Sequence, residues 1–221
     1  MFGAIADAFS KGGWLMWVIL VILVIALAII VERAIYLYGV ANANKDDVIK
    51  RIKSYLLKGD LQSAIQFVSA ANFPLAKILH AGLLKAKKSD AVIQAAMDEA
   101  ALREIPKIEA RTGYLALIGN IAVLTGLLGA IVGLIRAFAA VGSADAASKA
   151  TELANGIAEA MYNTAFGIMT AVIAVIAFAF IQTKVQQLED DINEATVSVL
   201  NLVTENRDKF FEKKGERGSD S

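Results

Sequence analysis

The chain has 221 residues, 57% hydrophobic and 20% charged, with 22 basic side chains against 22 acidic ones. That balance leaves no global basic surface for nucleic acid, the absence of cysteine excludes disulfides and thiolate metal sites, and the single histidine, His80, excludes a histidine-rich metal cluster. A mean hydropathy of +0.54, with charge missing from whole stretches instead of thinned evenly, marks a chain divided between lipid and water.

In chain order, residues 1–13 carry Phe2, Ile5 and Phe9 at helical spacing and are expected to lie on the outer membrane surface as an amphipathic segment. The apolar run from Trp14 to Val31 follows, and at ~1.5 Å per residue it covers roughly 27 Å of a hydrocarbon core about 30 Å thick. With Trp14 and Trp17 at one interface and Tyr36 and Tyr38 at the other, it predicts a first span over residues 14–38. A cleavable signal peptide is the competing reading, because Ala41-Asn42-Ala43 has the form of a cleavage site. The long apolar core, the lone preceding Lys11 and the intervening Glu32 and Arg33 weigh against it.

Residues 39–111 alternate charge of both signs with apolar side chains on a helical period, as in Ile49, Ile52, Leu56 and Leu61, Ile65, Val68. They predict a soluble helical domain. Gly59 is suited to positive φ and Asp60 to an N-cap; Asn72-Phe73-Pro74 and Lys88-Ser89-Asp90 mark further turns. Two more spans are expected over residues 112–141 and 156–183, joined by a polar connection over 142–155. Arg33, Lys45, Lys50, Arg51, Lys107, Arg111 and Lys184 flank one side of the spans, whereas Lys11 and Lys149 are nearly alone on the other, so the amino terminus should face out and the bulk should face the cytoplasm. Val185, Leu188, Ile192, Val199 and Val203 extend the third span into a cytoplasmic helix over 184–214, and residues 215–221 are expected to be disordered. The fold class is an all-α membrane protein: three transmembrane helices with long cytoplasmic helical extensions.

The second span carries Gly119, Gly126, Gly129 and Gly133, and the third answers with Gly156, Ala160, Gly167, Ala171 and Ala174. Small residues let helix backbones approach in lipid, either between these two spans or between protomers. Glu159 is the carboxylate inside an apolar run. A carboxyl group in low dielectric is costly to ionise and can take up and release a proton near neutral pH; the alternative is a position at the outer interface, favouring a helix N-terminus. At 100° per residue Asn163, Phe166 and Thr170 share the stripe of Glu159, and Thr164 points about 140° away. Arg136, near the outer end of the second span, reads as a side chain snorkelling to the headgroups, and His80 as an ordinary packed or surface residue. No phosphate loop, zinc-protease or nucleophile-elbow motif is present, so an enzyme active site has nothing to rest on.

Gly12-Gly13-Trp14-Leu15-Met16-Trp17 leading to Val31-Glu32-Arg33, the segment Phe73-Pro74-Leu75-Ala76-Lys77 with Ala81-Gly82-Leu83, and above all the stretches from Gly126 to Phe138 and from Gly156 to Gly167 resemble the ExbB/TolQ/MotA proton-channel (stator) family, closest to its ExbB/TolQ branch. The resemblance covers nearly the whole chain. It implies a homo-oligomeric ring, expected to be pentameric, around a dimer of a single-span ExbD, TolR or MotB-like partner with an intramembrane aspartate. It further implies a bacterial inner membrane and a proton motive force turned into work at the envelope, as in TonB-type uptake, Tol-Pal-type or gliding-type systems, with neither cofactor nor metal. Glu159 matches the glutamate of the family's third helix and Thr164 its pore threonine, while Ala130 stands for a usual threonine, and Val123 and Ile173 for usual prolines. Thr125, Asn120, Asn163 and Thr170 are the polar residues that could replace the missing hydroxyls. Gly126, Gly129, Gly133 and Gly167 are expected to set helix packing. The rival functions are a non-conducting membrane scaffold and a solute transporter; the inverted repeats and broken helices usual in transporters are not visible.

Overall fold

The computed structural model describes residues 12–41, 44–143 and 148–208. Most of the expected segment 1–13 and all of the tail 215–221 lie outside them. Every regular element among the described residues is a helix: α1 Gly13–Ile35, closed by a π-turn at Tyr36–Val40, α2 Lys45–Leu57, α3 Leu61–Ser69, α4 Pro74–Leu84, α5 Asp90–Glu109, α6 Thr112–Ser143 and α7 Lys149–Glu205. Among the described residues, three helices are long and apolar enough to cross a membrane: α1, α6 and α7. The chain divides into two compact units, one of Met1–Arg33 with Arg111–Ile181 and one of Ala34–Ala110 with Gln182–Ser221.

In the first unit α1 buries Leu15, Met16, Ile19 and Ala26, whereas α6 and the first part of α7 bury mainly alanines, among them Ala122, Ala137, Ala160, Ala171 and Ala174. Many of the large apolar residues of α6 and α7, such as Leu124, Ile135, Phe138, Met169, Ile176 and Phe180, are exposed. This inversion of a soluble core suits helices in lipid, where apolar side chains lose nothing by facing outward and close backbone approach supplies the packing. At one end, Glu32 accepts from Arg33 at 2.6 Å and pairs with Arg111 at 3.2 Å. Arg111 itself holds a left-handed φ of 62° between α5 and α6.

The connection between α6 and α7 is shorter than the polar stretch 142–155 suggests. Lys149, Ala150, Leu153 and Ala154 are good helix formers, and Glu152 lies in the first turn of α7, where a carboxylate is favoured by the unpaired N–H groups. Polarity there reflects exposure, not loop.

The second unit packs α2–α5 with the rest of α7. Its core is formed by Val48, Ile52 and Leu56 of α2, Ala64 and Val68 of α3, Ile78, Leu79 and Leu83 of α4, Ile93, Met97 and Ile108 of α5, and Val185, Leu188, Ile192, Ala195, Val199 and Val203 of α7. Those α7 residues recur every three or four positions, which places them on one face. Gly59 takes φ 69°, and Asp60 accepts the Ser63 N–H at 3.1 Å, so the α2–α3 turn forms as its sequence predicts. Lys45 lies 2.7 Å from Asp191 and 2.5 Å from Glu194, which raise its pKa. Arg207, together with a hydrogen bond from Thr204, holds the Asp90 carboxyl below its ordinary range.

Glu189 is less comfortable. One of its carboxylate oxygens is buried without a hydrogen bond, and burial, reinforced by Glu109, pushes its pKa up. The folded state therefore binds this proton more tightly than the unfolded chain, so stability falls as pH rises from the ordinary glutamate range through the raised value. Glu189→Gln is expected to abolish that loss and to raise the thermal midpoint at pH 7 by about 2–4 °C, with no gain at a pH below the ordinary carboxylate range. An equal gain at both pH values would mean that the charge is not responsible.

Candidate functional site

The site is set by the register of α6 against α7. Gly119, Gly126 and Gly133 are spaced by seven along α6, as are Ala160, Gly167 and Ala174 along α7, a repeat that returns to one helix face. The two series meet antiparallel: Gly126 on Gly167, Gly133 on Ala160, and, beyond them, Ala137 on Gly156. A Cβ on Gly167 would lie 2.7 Å from the Ala122 carbonyl oxygen and 2.8 Å from the Gly126 Cα, and one on Gly156 2.3 Å from the Ala137 Cβ. All four glycines expected to set packing thus lie at this contact within one chain, Gly129 against Asn163.

This register brings Arg136 of α6 opposite Glu159 of α7, where the guanidinium donates to the carboxylate across 3.1 Å. The Glu159 side chain is 20% exposed and Arg136 51%. The first residue of α1 closes on the pair: Gly13 has φ 68°, and a Cβ there would lie 2.3 Å from Glu159 Oε1 and 3.7 Å from an Arg136 guanidinium nitrogen. All three spanning helices therefore converge at Glu159. A cavity of about 420 Å³ adjoins it, lined by the ion pair together with Glu152 and Asn155.

The other expected pathway residues separate into two sets. Asn163 and Thr170 share the buried stripe of Glu159, at 0% and 1% exposure. Asn163 Nδ2 donates to the Glu159 carbonyl at 3.1 Å, Thr170 donates to the Phe166 carbonyl, and Asn163 Oδ1 is buried without a partner. Thr164 and Thr125 are half-buried, and their hydroxyls donate to the Ala160 and Ile121 carbonyls. Asn120 is exposed. No cluster of His, Cys, Asp or Glu suited to a metal ion occurs among the described residues.

The position of Arg136 near the outer end of the second span suggests snorkelling; its partner, Glu159, emerges only from the antiparallel register. The seven-residue spacing of small side chains, shared by the two spans, is the sequence signal from which that register could be read.

Residues 70–194 match the family described as the MotA/TolQ/ExbB proton channel family. The chain belongs to that family. It is 30% identical over 200 residues to the ExbB-like protein 1 of Synechocystis sp., named for biopolymer transport, across 89% of this chain and 78% of that protein. It is 36% identical over 96 residues to the Tol-Pal system protein TolQ of Haemophilus influenzae, across 43% and 42% of the two chains. With the biopolymer transport protein ExbB of Pseudomonas putida it shares 32% identity over 97 residues, across 44% and 29%. The MotA/TolQ/ExbB family is one of membrane channels, not of enzymes. The matched stretch contains Arg136 and Glu159 as well as Thr125, Asn163, Thr164 and Thr170.

Proposed function

We propose that this chain is the channel-forming stator subunit of an inner-membrane motor that uses proton motive force to do work at the cell envelope. The observation that carries the reading is Glu159: an ionisable side chain on a membrane-spanning helix, at the convergence of α1, α6 and α7 and beside a polar cavity. An intramembrane carboxylate is expensive, and its usual reason for being there is function. Glu159, with Asn163, Thr164, Thr125 and Thr170, forms the proton path. The subunit works as a homopentamer around a dimer of an ExbD/TolR-like partner whose single span carries an aspartate, with its amino terminus periplasmic and its carboxyl terminus cytoplasmic, as the basic residues at the inner helix ends support. The process driven is of the TonB-uptake, Tol-Pal or gliding type. A non-conducting scaffold is the second reading, favoured by Ala130, which gives α6 no hydroxyl there.

Native mass spectrometry of the detergent-solubilised particle, with and without a single-span partner encoded beside it, tests the assembly. Five copies of this chain, gaining two of the partner, are expected. A monomer or dimer that takes up no partner would contradict the stator reading.

A further inference from the structure

The ion pair has a place in the channel that the lone carboxylate would not have. Arg136 and the proton compete for the same carboxylate: one oxygen of Glu159 accepts from the guanidinium at 3.1 Å, and a proton relayed through Glu159 must displace that contact. The pair joins α6 to α7 beside the tightest part of their contact, where Ala137 meets Gly156, so it also ties the two helices at the end that holds their connection. Gly13 lies against the same oxygen from α1. The pair itself lines the cavity of about 420 Å³.

We propose that Arg136 is a positioning residue of the conduction site, a counter-ion latch that occupies the Glu159 carboxylate and keeps the path closed until the guanidinium is displaced. The inference rests on the conduction reading above. It makes Arg136 more than a headgroup anchor: its charge, not its length or packing, sets the resting leak. Alanine at Gly13 would strain its left-handed φ of 68° and bring a Cβ against the Glu159 carboxylate, so Gly13→Ala should displace the latch from α1 without altering either charge.

Proton flux into proteoliposomes containing the full chain with its single-span partner, driven by an imposed pH gradient with the potential clamped, tests this. Wild type and Arg136→Lys are expected to leak slowly, and Arg136→Gln roughly tenfold faster, within the range of couplings between two groups. Gly13→Ala should also raise the flux, and it keeps the test open if Arg136→Gln does not fold. The double variant Arg136→Gln/Glu159→Gln should return to the slow rate, because no acid remains to pass the proton. Rates at or below wild type in both Arg136→Gln and Gly13→Ala would overturn the latch, as would a fast leak in Arg136→Lys, which would mark lost packing instead of lost charge. A fast leak in Arg136→Gln that persists in the double variant would bypass Glu159, and would overturn the conduction reading itself.

Discussion

Gly167→Val is expected to lower the thermal midpoint of the detergent-solubilised protein by roughly 5 °C or more, the consequence of overpacking at about 1–3 kcal/mol. The Cβ would stand 2.7 Å from the Ala122 carbonyl oxygen and 2.8 Å from the Gly126 Cα. Both are main-chain atoms of α6, so relief requires the whole helix to move away, and with it the contacts at Gly133 and Gly156. Gly113→Ala at the start of α6 is the control. Nothing lies within 4 Å of a Cβ placed there. Helix propensity favours alanine there by roughly 0.5–1 kcal/mol, so the midpoint should stay within about 2 °C of wild type. Equal losses in the two variants would mean that the α6–α7 contact is not governed by backbone approach.

Glu159→Gln is expected to reduce proton flux through the partner-bound assembly by about 100-fold or more, the scale on which positioned acids and bases act. Glutamine keeps the length of the side chain and an oxygen that can accept from Arg136, so the helices should still pack and the particle should keep its size on a sizing column. Only the capacity to bind and release a proton is lost. Glu159→Asp separates charge from reach: it keeps the acid but draws the carboxylate back by one methylene from Arg136, and it should conduct more than Glu159→Gln. Flux unchanged in Glu159→Gln would remove this residue from the path and favour the scaffold reading.

The spans and the soluble helices were legible because lipid and water impose opposite compositions, and each leaves a periodic trace. Val185, Leu188, Ile192, Val199 and Val203 all lie in the core of the second unit, as their spacing predicts. Gly59 and Asp60 form the turn that their local chemistry dictates. Phase was harder: in α2 and α3 the buried faces centre on Val48 and Ala64, leaving Ile49 and Ile65 half-buried, because a helix stripe is wide enough for the larger side chain to sit at its edge. The connection after α6 is shorter than its composition suggests because the polar residues of an exposed helical turn look like those of a loop. At the site, the separation of Thr164 from the stripe of Glu159, Asn163 and Thr170 follows from 100° per residue. The pairing of Glu159 with Arg136 does not, since it joins residues on two different helices and depends on how the small residues align.

In the proposed function, protons cross the membrane through this subunit. The direct measurement is the pH change inside proteoliposomes holding the chain with its single-span partner, under an imposed membrane potential and at equal pH on both sides. Wild type is expected to support a potential-driven pH change, and Glu159→Gln to support none. A pH change no larger than in protein-free vesicles, from particles shown to contain both proteins, would contradict it.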